Sequence, residues 1–238
     1  MKLRGLLVTV SMGCRLLASE PYIKIGILGD ETGSAVSNST PALLPADITP
    51  FVDLIRARGG QIAVCVVTAR AQGGMVRLTV EPPSAKPQAP NLNVNVFEQR
   101  EQLKSYQIAL GDWKAREAKR TQDADNAIRT FEAQLQTVLV GTRTERRSDV
   151  WGALLRMDRF LMEELPLPGY TTEPFALIAS DLQNTAGGQR YAMASQPKVA
   201  WVNRIVRTGP IIFSAPHLFE NIDPAVRWIV NQAQEGAR

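Results

Sequence analysis

A run of apolar residues, 23–29, ends in a carboxylate, Asp30, and two hydroxyl residues follow at alternate positions, Thr32 and Ser34. A second run, 175–180, ends in Asp181. A third stretch places a hydroxyl, Ser148, directly before an amphipathic helical pattern. The set Asp30, Thr32, Ser34, Ser148 and Asp181 supplies two carboxylates and three hydroxyls, all oxygen. That chemistry suits a hard divalent cation such as Mg²⁺, or Mn²⁺ or Ca²⁺, with water keeping the remaining positions. Alternate positions in an extended loop put Asp30, Thr32 and Ser34 on one side. Thr142 and Thr144 compete with Ser148 for the third loop. Taken one motif at a time, the same side chains could instead cap a helix or close a turn.

Other chemistries fit less well. A dinucleotide loop needs closely spaced glycines so that phosphate meets bare amides. Gly26, Gly29 and Gly33 have the wrong spacing, and Asp30 would repel the phosphate. A haloacid-dehalogenase-type phosphatase needs a second Asp two positions after the first, and Thr32 stands there. His217 is the only histidine, which argues against histidine-rich zinc sites and a Ser/His/Asp triad. It reads as a loop or core residue.

The elements that must position these groups alternate. Strands are expected at 23–29, 61–68, 75–81, 175–180 and 198–206, with a short piece at 211–213. Residues 35–45 read as a loop. Helices are expected at 47–58, stopped by Gly59-Gly60, at 149–165 and at 223–234. The face Val150, Ala153, Leu154, Met157, Phe160 and Leu161 has the period of a half-buried helix. Buried strands alternating with amphipathic helices predict an α/β fold: a mostly parallel central sheet with helices on both faces. Ligands of such sheets sit at the carboxyl ends of the strands. Asp30 and Asp181 share that rim if their strands are neighbours.

One segment is foreign to that alternation. Residues 82–95 are rich in proline and asparagine and read as a linker or extended arm. Residues 96–139 hold no proline. Leu103, Tyr106, Leu110 and Trp113 step by threes and fours, the pattern lapses at Glu117 and Arg120, and it resumes at Ala124, Ala127, Phe131 and Leu135. One long helix or a helical hairpin is expected, with Gly111-Asp112 as the natural break. The organisation is therefore residues 21–81 and 140–238 as one α/β domain, with 82–139 a proline-rich linker plus a long helical insertion that the domain is expected to fold without.

The 238 residues are 45% hydrophobic and 21% charged, enough for a sizeable core. A net charge of +4 without an interleaved basic and aromatic platform gives no case for nucleic acid. Residues 1–20 place Lys2 and Arg4 before a short apolar run. That is the layout of a secretory or lipoprotein signal, with Cys14 as the lipid-bearing residue. The alternatives are a mis-placed start or an N-terminal strand. A signal would put the protein in the cell envelope or periplasm, with a lipid anchor as its only membrane contact; otherwise it is cytoplasmic. Cys65, within an apolar run, reads as a small core residue.

The order of the motifs resembles the von Willebrand factor type A domain and its metal-ion-dependent adhesion site. That site has Asp-x-Ser-x-Ser after the first strand, a Thr before a middle helix and an Asp after a later strand. Here these read Asp30-Glu31-Thr32-Gly33-Ser34, Ser148 and Asp181, so each substitution keeps a hydroxyl. A group of such proteins in cyanobacteria is similar in carrying a helical insertion before the Thr loop. The resemblance implies a Rossmann-like sheet and a non-enzymatic module whose cation takes an acidic side chain from a protein partner. Arg143, Arg146 and Arg147 flank the site and would favour an acidic surface. The competing readings are a scaffold acting through residues 96–139 and, less favoured, the Mg²⁺-dependent phosphatase.

Overall fold

A computed structural model describes residues 21–68, 74–90, 95–139, 147–164, 170–183, 191–203 and 216–236. Residues 1–20 with Cys14, the candidates Thr142 and Thr144, Arg143 and Arg146, and the expected strand pieces 204–206 and 211–213 lie outside the described residues.

A six-stranded sheet forms the centre, in the order β3-β2-β1-β4-β5-β6. The strands are β1 (Tyr22–Asp30), β2 (Gly60–Val67), β3 (Met75–Val80), β4 (Thr172–Ala179), β5 (Lys198–Val202) and β6 (His217–Phe219). Every ladder is parallel except β2–β3, so the sheet is mixed, with its one antiparallel strand at an edge. β1 is buried along its whole length. Ile23, Ile25 and Ile27 join the core on one face, while Leu28 joins the core on the other. A strand covered on both sides reads as a continuous apolar run because neither face meets water. β3 shows the alternative: Val76, Leu78 and Val80 are buried and the residues between them are not.

Among the described residues five helices accompany the sheet: α1 (Gly33–Ser37), α2 (Pro45–Arg58), α3 (Val96–Leu139), α4 (Val150–Met162) and α5 (Ile222–Glu235). α2, α5 and the last turns of α3 pack on one face, and α4 on the other. All six apolar residues expected on α4 are buried. The turn from α2 into β2 needs its two glycines. Gly59 has φ +78° and Gly60 φ +147°, and a side chain at Gly60 would come within 2.7 Å of the Ile23 carbonyl oxygen.

Three expectations are corrected. Residues 35–45 are not wholly loop, because α1 occupies Gly33–Ser37. His217 is an exposed residue of the edge strand β6, its ring stacked on Trp228 at 4.3 Å. The long segment is one unbroken helix through Gly111, the first of the two forms expected; what is corrected is its independence, because it packs on its own domain instead of standing wholly apart. Ala124, Ile128, Phe131, Leu135 and Leu139 belong to the main core, so its last turns cover the sheet. The middle of the helix carries a different partner, the proline-rich stretch. The Ser84 amide and hydroxyl donate to Glu117 Oε1 at 2.8 and 2.7 Å. Trp113 Nε1 donates to the Ser84 carbonyl at 3.1 Å, and Arg120 to the Glu81 carbonyl at 3.3 Å. Rising strap numbers meet falling helix numbers, so the strap runs antiparallel to α3.

Two buried charges brace α4. Lys24, fully buried on β1, donates from Nζ to the carbonyls of Phe160 (3.0 Å) and Glu163 where α4 ends, Phe160 also accepting the Glu163 amide. Asp158 accepts the hydroxyls of Tyr191 and Ser195 and the amides of Ala194 and Ser195, both at 2.9 Å. Against the burial that would raise it, these donors hold the Asp158 carboxyl below its ordinary value. They also fix the segment that leads from the β4 loop into β5.

Candidate functional site

β1 and β4 are neighbours, paired in register from Tyr22↔Thr172 to Gly29↔Ala179. The chain winds one way from β1 through β2 to β3 and returns on the other side of β1 with β4. The carboxyl ends of β1 and β4 therefore flank the switch point of the sheet, where neighbouring loops part and leave a crevice. Asp30 ends β1 there, and Ser180 and Asp181 follow β4.

Asp30 is fully buried. Its Oδ1 accepts the Thr32 amide at 3.1 Å and the Thr32 hydroxyl at 2.6 Å, and its Oδ2 accepts the Ser180 hydroxyl at 2.6 Å. Thr32 Oγ1 lies 3.1 Å from Ser34 Oγ. Burial raises the Asp30 pKa; the hydrogen bonds from Ser180 and Thr32 pull it down, and the charge of Asp181 adds to the rise. The net direction is upward, so ionised Asp30 is held at a cost that a cation would relieve.

Asp30, Thr32 and Ser34 thus come together as expected, although by a different route. The chain is extended at Thr32, with φ −92° and ψ 158°, but Ser34 sits in the first turn of α1 rather than in an extended loop. Asp181 is half-buried, with both oxygens engaged: Oδ2 accepts Asn38 Nδ2 at 2.7 Å and Oδ1 accepts the Gln183 amide at 2.9 Å. Ser148 is buried and donates to the Gln183 carbonyl. Its loop is tied to the end of β2 by the Asp149 amide, 3.0 Å from the Thr68 carbonyl. The Asp149 side chain caps α4 by accepting the Gly152 amide at 3.0 Å. Ser148 therefore reaches the same rim through the β4 loop, without a direct bond to the Asp30 group. Arg147 is exposed beside it.

Two residues of the rim were not anticipated as site residues. Ser180 links the ends of β1 and β4: it donates to Asp30, accepts the Leu182 amide at 2.9 Å, and its carbonyl accepts Trp201 Nε1 at 2.8 Å. The signal was a hydroxyl at a strand end beside Asp181. Asn38, at the end of α1, orients Asp181, and nothing local in the sequence marks that pairing.

The donor set fits a hard cation. It is all oxygen, it holds a buried carboxylate with a raised pKa, and two of its hydroxyls lie within 3.1 Å of each other. Among the described residues no three His, Cys, Asp or Glu side chains gather in one place, so hydroxyls and water would complete the shell. Comparison with family models, with curated proteins and with solved structures finds no match to this chain.

Proposed function

We propose that the chain is a von Willebrand factor type A-like module that holds a divalent cation at the carboxyl edge of its sheet and, through it, binds an acidic side chain of a protein partner. The observation that carries this reading is the hydrogen-bonded group of Asp30, Thr32, Ser34 and Ser180 at the switch point, with Asp181 close enough to raise the Asp30 pKa. The strand order supports it, since 3-2-1-4-5-6 is an order of doubly wound sheets that bind ligands there. Asp30, Thr32 and Ser34 would hold Mg²⁺ or Mn²⁺ on one side. Ser148 and Asp181 would close the other, Asp181 keeping a lone pair on each oxygen beside the bonds from Asn38 and Gln183. In this reading the module is not an enzyme: its chemistry is an open coordination position. A scaffold acting through α3 is the second reading, favoured by the exposed Phe97 and Ile108 on that helix.

Calorimetric titration tests the first reading. Mg²⁺ or Mn²⁺ should bind the wild-type chain with about one equivalent, Thr32→Ala should bind more weakly because water replaces a neutral hydroxyl, and Asp30→Asn should show no heat. Capture of a partner should be lost in EDTA. Absence of heat in the wild type, or equal heats in wild type and Asp30→Asn, would overturn the site. Capture that survives EDTA would favour the scaffold.

A further inference from the structure

The proline-rich strap covers one side of α3, where Tyr106, Leu110, Trp113, Glu117 and Arg120 are half-buried. The opposite side carries Phe97, Glu101, Lys104, Ile108, Gly111 and Ala115. These recur at alternating steps of four and three, the seven-residue repeat of a helix seam that meets another helix. Nothing among the described residues covers it: Phe97 is 82% exposed and Ile108 58%. Gly111 adds a second observation. A side chain there would meet nothing within 4 Å, so packing inside the chain does not require glycine, yet glycine in a helix interior weakens the helix. A glycine beside Ala115 on the seam lets a second backbone approach closely.

We infer that this seam is a homodimer interface, in which α3 of a second copy lies antiparallel, crossing at Ile108. The charges choose both the occupant and the direction. Before Ile108 stand Glu98, Glu101 and Lys104; after it stand Asp112, Arg116 and Lys119, all exposed. Antiparallel pairing about Ile108 sets Glu101 against Arg116 of the second copy, Glu98 against Lys119, and Lys104 against Asp112. It also lays Phe97 over the small residues Ala115 and Ala118. On the other flank the same register sets Arg100 against Lys114 of the second copy, the one like-charge pair beside the three opposite-charge pairs. A parallel in-register pair would instead set the seam charges Glu101 and Lys104 each against its own copy. An antiparallel pair has a two-fold axis through Ile108, the closed symmetry that soluble homodimers most often use. The inference is independent of the cation site.

The full chain, measured by sedimentation velocity, should have the mass of two copies. Ile108→Glu should give the single-copy mass with unchanged helical circular dichroism, because residue 108 is exposed in the monomer. Glu101→Arg should weaken the dimer by about tenfold, and the double change Glu101→Arg with Arg116→Glu should restore it. Ile108→Cys in a Cys14→Ser background should form a disulfide-linked dimer on mild oxidation, because the axis residue meets its own copy. A single-copy mass for the wild-type chain at every concentration would overturn the inference. So would a dimer that Ile108→Glu leaves intact, or a double charge exchange that fails to recover the dimer lost in the single one.

Discussion

Replacing Asp30 separates the cation from the scaffold that would hold it. Asp30→Asn keeps the shape and an amide oxygen for the Thr32 amide and hydroxyl, now at 3.1 and 2.6 Å from Oδ1. Its NH₂ group takes the place of Oδ2, 2.6 Å from Ser180 Oγ, which retains a lone pair to accept it. The substitution also removes a carboxylate that burial and Asp181 make costly to ionise. Metal-free stability at neutral pH should therefore hold or rise. Asp30→Ala differs: the two hydroxyls can rotate to other acceptors, but the Thr32 amide, with no rotation available, loses its acceptor in a buried setting. Leaving it unsatisfied costs about 1–3 kcal/mol. Relief of like-charge repulsion alone would make alanine neutral or stabilising; the orphaned amide works against that. The cation contributes on top of this. At a free concentration of about 100 times Kd it should stabilise the wild type by about 2.7 kcal/mol. For a chain of this length that is a Tm shift of about 5–10 °C. Differential scanning calorimetry of wild type, Asp30→Asn and Asp30→Ala, each with and without Mg²⁺, measures both quantities. A Mg²⁺ shift of equal size in all three would refute the reasoning, as would Asp30→Asn losing as much metal-free stability as Asp30→Ala.

Three further predictions concern the scaffold. Glu117 is held down to about 2, chiefly by the Ser84 hydroxyl and amide, with Arg120 assisting. A depressed carboxyl stabilises above its unfolded value of 4.5 and loses that contribution as pH falls toward 2, so the strap should release across that window. Trp113, whose indole donates to the Ser84 carbonyl, should report the release as a fluorescence change absent in Glu117→Gln. Phe131→Ala should cost about 3–5 kcal/mol in urea unfolding, because that ring is in the main core, whereas Ile108→Ala should stay within about 0.5 kcal/mol in the monomer. Gly60→Ala should cost about 2–4 kcal/mol in the same assay, from a positive φ and the close Ile23 carbonyl together.

The elements legible in the sequence were those whose neighbours repeat. α4, α5 and α2 bury one stripe each against a flat sheet, so period alone marks them. β1 and β2 meet helices on both faces and read as unbroken apolar runs. α1 escaped because a helix of five residues has no period to display. The direction of β3 escaped because alternation shows that one face is buried, not which way the strand runs. The lapse at Glu117 and Arg120 has a physical source. These continue the half-buried side of α3 that holds Trp113, and what lies on them is a strap that offers the Ser84 amide and hydroxyl to Glu117 and the Glu81 carbonyl to Arg120. Polar side chains are the appropriate partners for such groups. The pattern did not break there; polar side chains stand at the two positions where the strap presents an amide, a hydroxyl and a carbonyl, and apolar ones resume at Ala124, where the helix meets the main core.

The same distinction governs the site. Asp30, Thr32 and Ser34 were visible as a group because the contacts among them are local, two residues apart. The remaining contacts span 150 residues for Asp30 with Ser180 and 143 for Asn38 with Asp181, and only the β1–β4 pairing brings them about. Local spacing therefore finds the oxygens but not which of them are already engaged. That second question decides how a cation would be held. Asp30 and Asp181 are each bonded through both oxygens, so a cation needs the lone pairs those bonds leave, and on Asp181 the Asn38 amide takes one from Oδ2. Asn38→Ala should thus strengthen cation binding if the amide restrains Asp181, and weaken it if the amide aims Asp181 at the site. Calorimetric titration of that variant with Mn²⁺ distinguishes the two, and the geometry favours restraint, because the bond at 2.7 Å ties down Asp181 Oδ2 and takes one of its lone pairs. Unchanged affinity would refute any role of Asn38 in the site.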